Sequence, residues 1–130
     1  IGEQFDIHPA NKQEVGERLA KLALINDYNR KDISGYGPIY SNQIKYEYYI
    51  DLYFKNIGSG LKQKDSLKNF EIAGSDKFFY PAQANIIENK IRVSSKKVKN
   101  PEYVRYGWKN YFEATLFNNE GFPASSFRTP

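Results

Sequence analysis

The chain has 130 residues, 40% of them apolar and 26% charged, with a net charge of +4 and neither cysteine nor methionine. That length suffices for one domain with a real core, or for a short element followed by one domain, and no apolar run approaches a membrane span. Lack of cysteine excludes disulfides, thiol catalysis and thiolate metal sites, and scattered lysines with no groove-reading motif argue against a nucleic-acid partner.

The chain opens on Ile1 where a translation product carries Met. We therefore expect an interruption inside a longer chain, and no basic–apolar–small leader is visible in the residues present. Residues 1–10 read as a loop. Residues 11–28 read as a helix: Asn11 is a favourable N-cap, Glu14 stands three positions on as in a capping box, and Val15, Leu19, Leu22 and Ala23 recur at helical spacing. Leu24 and Ile25 widen that stripe, as expected of a helix that packs against a substantial body. The segment from Asp27 to Pro38 is dense in loop formers and places a domain boundary, giving units 1–35 and 36–130. Beyond it the helical period vanishes. Strand-like runs follow at 44–49, 50–55, 70–73, 77–82, 90–94 and 103–108, separated by Gly, Asn, Asp and Ser turns. In Lys90-Ile91-Arg92-Val93-Ser94 the alternation is clean, as in a strand with one buried and one wet face. The predicted fold class is mainly β, an N-terminal helix followed by an antiparallel β-sandwich. The tail from Asn118 to Pro130 reads as ordered surface coil, docked by an ion pair of Arg128.

One histidine, His8, lies in Phe5-Asp6-Ile7-His8-Pro9. Imidazole suits general-base work near neutral pH, and a neighbouring carboxylate such as Asp6 can orient the ring and stabilise its cation. Taken alone, Asp-x-His favours a satisfied structural histidine over a catalytic one. No nucleophile accompanies it. Ser59, in Ile57-Gly58-Ser59-Gly60-Leu61, lacks the outer glycines of a nucleophile elbow and reads as a turn. Gly74-Ser75-Asp76 reads as a hairpin turn. Gly35 and Gly37 lack the rest of a dinucleotide fingerprint, and no cluster has metal-ligand spacing, so neither cofactor nor metal is expected. Arg105 and Trp108 are candidate substrate contacts, because guanidinium can clamp a carboxylate and indole can stack on a sugar. The alternative is a strand-end cation and a core aromatic.

The stretch from Asp6 through Ala20 resembles the last block of sialate O-acetylesterases, within the broader SGNH-type hydrolase group. Gly58-Ser59-Gly60-Leu61, Phe70-Glu71-Ile72-Ala73-Gly74, Val104-Arg105-Tyr106-Gly107-Trp108 and the run from Glu120 to Thr129 look like the C-terminal β region of the same enzymes. The resemblance implies that the helix is the remnant of a flavodoxin-like α/β/α hydrolase core and that the sandwich is an accessory domain. It implies a secreted or periplasmic bacterial parent that removes O-acetyl groups from sialic acid, or a related acetylated sugar, by serine attack. His8 matches the family's catalytic histidine, with Asp6 beside it. The group's general pattern places the acid three residues before the histidine, where this chain has Phe5. On this reading the chain supplies the base alone and is inert by itself. Its partner is the upstream core of the same parent, and an uncovered stripe at Val15, Leu19 and Leu22 would favour self-association. The competing reading is a non-catalytic glycan-binding or structural sandwich.

Overall fold

A computed structural model describes residues 1–130, which form two compact units, Ile1–Tyr36 and Gly37–Pro130. The architecture is mainly β: one helix, α1 (Lys12–Asn26), precedes ten short strands, and every strand pairing is antiparallel. No helix is long and apolar enough to cross a membrane.

In the first unit, α1 starts where the capping pattern places it. The Asn11 side chain accepts the Glu14 N–H at 3.1 Å, and its amide donates to the Glu14 carboxylate at 3.0 Å. One orphan amide of the first turn is thereby satisfied. Gln13–Glu17 and Glu14–Arg18 pairs, both four residues apart, brace the exposed surface. The helix ends when Asn29 turns left-handed at φ 52° and the Arg30 N–H closes onto the Leu24 carbonyl at 3.0 Å. None of its 15 residues is buried. Val15, Leu19 and Leu24 remain 37%, 61% and 37% exposed, while Leu22 and Ile25 are half-buried against Gly35, so within this unit the apolar stripe is only partly covered.

The second unit begins at Gly37, where a Cβ would fall 2.0 Å from the Pro123 carbonyl oxygen. Only glycine permits that backbone approach. The first sheet runs β1 (Ile39–Lys45), β2 (Tyr49–Lys55), β7 (Lys90–Ser94), β6 (Gln83–Ile87) in spatial order. The second runs β10 (Phe127–Arg128), β8 (Tyr103–Tyr106), β4 (Phe70–Ala73), β5 (Tyr80–Pro81). A ribbon of β3 (Leu61–Gln63) and β9 (Leu116–Asn118) completes the unit. Alternation puts Ile50, Leu52, Phe54, Ile91 and Val93 of the first sheet against Phe70, Ile72, Val104 and Tyr106 of the second. Phe127 joins this core from the side. Its ring stacks on Tyr40 at 5.3 Å and meets Phe54 and Tyr106 at 5.6 and 5.8 Å.

On the opposite face of β2, Asp51 is fully buried beneath its own partners. Its carboxylate accepts two bonds from Arg92 at 2.8 and 3.0 Å and one from Lys90 at 2.9 Å. Bonding to Arg92 holds the Asp51 carboxyl below the usual carboxylate range, against the opposing effect of burial. Arg92 in turn lies 3.9 Å over the Tyr49 ring.

Several expected boundaries move. The break expected between Tyr49 and Ile50 falls at Tyr46–Tyr48, where the Tyr46 N–H donates to the Tyr49 carbonyl in a tight turn. The strand expected at 77–82 shrinks to Tyr80–Pro81, because Lys77 is left-handed at φ 60° and closes the turn onto Gly74. The tail is largely coil, as expected, but its end is not on the surface: Phe127–Arg128 form a strand, Phe127 packs against the core, and Thr129, 1% exposed, both donates its N–H to Val104 and accepts the Val104 N–H on its hydroxyl. Arg128 is exposed and helps dock it through backbone pairing with Arg105, not through an ion pair.

Candidate functional site

The loop ahead of α1 is tied to itself by carboxylates. Glu3 and Asp6 bridge antiparallel across a turn, and the Glu3 carboxylate accepts the Ala10 N–H at 3.1 Å. Asp6 then accepts the His8 backbone N–H at 2.7 Å, the side chain reaching its own backbone two residues on. Pro9 follows, which restricts His8 to extended backbone. Asp6 therefore fixes where the His8 backbone points, whereas orientation of the imidazole itself needs another group. Asp6, Ile7 and His8 are all exposed, Ile7 at 90%. The capped start of α1 stands immediately behind and anchors the loop.

Ser59 sits at the crest of a turn. Its N–H donates to the Glu120 carboxylate at 2.9 Å, next to Gly58 at φ 58°. This amide holds the Glu120 carboxyl below its ordinary range. The Ser59 hydroxyl bonds the same carboxylate and is tied into the turn with it.

Arg105 is engaged in the sheet. Its Nε and Nη2 donate to the two oxygens of Glu71, directly across the β4–β8 register, at 2.8 and 3.1 Å. Its guanidinium carbon lies 4.2 Å over the Phe79 ring. The Nε–Nη2 edge of the fork and one face of its plane are thus in use, and the Nη1 edge alone remains for another acceptor. Trp108 differs: it follows β8 and is 51% exposed, beside a shallow cleft of about 310 Å³ lined also by Gly107, Lys109, Asn110 and Ser126. Lys109, Asn110 and Ser126 were not singled out from sequence, and only their spacing about an exposed Trp could have drawn attention to them. The pair of buried Asp51 with half-buried Arg92 likewise escapes sequence reasoning, although an Asp inside an otherwise aromatic and aliphatic strand is a usable signal.

No protein-family model matches this chain, and no curated protein does. A solved structure does: XAC1771, a carbohydrate acetylesterase from Xanthomonas citri, is 37% identical over 100% of this chain, with a TM-score of 0.93. The chain spans 30% of the length of that protein.

Proposed function

We propose that this chain is the part of a carbohydrate esterase that carries the general base and an accessory β-sandwich. The observation that supports this reading best is 37% identity along the whole chain to a segment of a carbohydrate acetylesterase. The self-tied loop at Glu3, Asp6 and Ala10 supports it further, because a base has to be held by a rigid support. The finer reading is a serine esterase of the SGNH group acting on O-acetylated sialic acid or a related acetylated sugar. Residues 1–35 would belong to its hydrolase core and residues 36–130 to the accessory domain.

In that reaction a serine of the remaining core attacks the acetyl carbonyl while His8 accepts its proton. His8 next protonates the sugar oxygen as the carbon–oxygen bond breaks. Water then attacks the acetyl-enzyme, giving its proton to His8, and acetate leaves as the serine recovers a proton. Oxyanion donors also come from the core. Asp6 acts as a positioning residue: it holds the His8 backbone, while another core group orients the ring.

The test is acetate release by the longer enzyme that contains this chain, assayed on O-acetylated sialic acid and on acetylated neutral sugars. His8→Ala lowers kcat by several orders of magnitude. Asp6→Asn keeps an acceptor oxygen and retains activity within about tenfold, whereas Asp6→Ala frees the loop and loses more. The 130-residue chain alone releases no acetate. Robust turnover by that chain, or near-normal activity of His8→Ala, would refute the assignment.

A further inference from the structure

Trp108 is a large apolar side chain held half in water on a loop that is otherwise tightly built. A Trp can bury 150–250 Å² roughly, so leaving it out forgoes a substantial stabilisation. Its loop is fixed at both ends. At the start, Gly107 is left-handed at φ 63°, and a Cβ there would lie 2.3 Å from the Phe112 ring, so the ring packs flat on the glycine. The Gly107 N–H donates to the Asn69 carbonyl at 3.0 Å, and the Lys109 N–H turns back onto the Gly107 carbonyl at 2.9 Å. Asn69, itself left-handed at φ 64°, donates its side-chain amide to the Glu113 carbonyl at 3.1 Å. At the far end the buried Tyr106 hydroxyl accepts the Thr115 and Leu116 N–H groups at 3.1 and 3.3 Å. The backbone that carries the indole is therefore preset, and little main-chain freedom remains to be lost when a ligand arrives.

We infer that Trp108, with Asn110, Ser126 and Lys109, forms a carbohydrate subsite that takes one pyranose ring on the indole face. A pyranose offers an apolar C–H face and a rim of hydroxyls. The indole matches the face; the amide, hydroxyl and ammonium groups around the cleft match the rim. A cleft of about 310 Å³ suits a single ring, not a buried oligosaccharide. Lys109 on the rim argues against a cationic guest, which an aromatic platform otherwise favours. The site uses no residue of the Asp6–His8 turn, so it goes beyond the esterase reading and stands or falls separately from it. Its role is to hold a glycan chain by a sugar other than the one undergoing reaction.

The chain has one Trp, so its emission reports this site alone. The 130-residue chain is titrated with cellohexaose, xylohexaose and sialyllactose up to about 10 mM, in keeping with the weak affinity of a one-ring site. At least one of the three produces a saturable emission change, and calorimetry gives the same Kd; the neutral and sialylated arms separate the two sugar classes. Trp108→Ala weakens that binding by about tenfold or more and Trp108→Phe by only a few-fold, both without change in circular dichroism. Gly107→Ala leaves the indole present but displaces it, and binding falls with a shifted emission maximum. Ser126→Ala or Asn110→Ala costs about three- to tenfold. His8→Ala binds as the parent chain does, whatever the fate of the esterase assignment. An emission that no sugar alters at the highest concentration, as expected if the indole docks on protein, overturns the proposal. So does sugar binding that survives Trp108→Ala unchanged.

Discussion

Helix α1 and strand β2 each carry aliphatic side chains at the spacing their geometry requires, yet the two hold them in opposite ways. In β2, Ile50 and Leu52 are fully buried and Phe54 is 8% exposed, because β7 and the facing sheet cover them. In α1, Leu19 is 61% exposed and no residue is buried. The β unit is held by burial from sheet to sheet. The helix is held by its cap, its closing turn, pairs four residues apart and the short return of the chain that sets Gly35 on Leu22 and Ile25 and bonds Tyr36 to Asn26, and a 15-residue helix with so little cover is marginal in water. An amphipathic pattern is therefore a statement about what a surface requires, and only the surrounding structure decides whether the requirement is met.

The contrast is broken most forcefully by truncating one leucine in each region. Leu52→Ala leaves a cavity between two sheets and should cost about 2–5 kcal/mol, enough to unfold much of a marginal domain in a urea titration. Leu19→Ala should stay within about 0.5 kcal/mol by the same titration, since its side chain already meets water. Equal losses would show that the stripe of α1 is covered after all.

Next in size is the ion group on the outer face of β2. Asp51→Asn removes the charge and one of the two acceptor oxygens behind three charge-assisted bonds and should lower stability by about 1.5–3 kcal/mol in thermal unfolding. The pH dependence has a definite sign. The folded Asp51 carboxyl is held below its unfolded value of about 3.9, so its contribution is complete above that pH. It declines as pH falls further, through the lower folded value. Acid unfolding of the β unit should therefore lose part of its pH dependence below about pH 4 in Asp51→Asn. No exchange of this kind exists in α1, whose pairs are solvent-exposed and worth a few tenths of a kcal/mol.

The smallest effect is local. Asn11→Ala removes the cap and should cost the helix about 1 kcal/mol, visible as faster amide exchange at Glu14 with the melting of the β unit unchanged. A shared loss would mean that the two units unfold together.

These differences also explain what the sequence conveys. Asn11 and Glu14 mark the helix start because capping is settled within a few residues. Lys90 to Ser94 is legible because its alternation is unbroken. Strand β6 was not anticipated: Gln83 to Ile87 puts Ile87 on the outer face and only Ala84 and Ile86 inside, so the period is blurred. Strand β10 is two residues among Ser, Thr and Pro, and becomes ordered by pairing with Arg105 and Tyr106, far earlier in the chain. The same holds for the sites. Asp6-x-His8 is plain in the sequence, but a carboxylate two residues ahead can reach either the ring or the backbone, and the local turn decides for the backbone. Trp108 is visible as an aromatic residue; its fixed presentation rests on Asn69, Phe112 and Thr115, which no local pattern connects to it.

Hydrogen exchange of the dilute, monomeric 130-residue chain, resolved by amide, tests most directly the claim that the β unit is complete while α1 awaits a covering body. The account predicts that amides of β2 and β7 are protected at least about a thousandfold over an unfolded chain, by global unfolding alone. Amides from Val15 to Asn26 should exchange within about a hundredfold of the unfolded rate, and slow sharply in the longer chain proposed above. Helix amides as protected as those of β2 in the monomeric chain would contradict it.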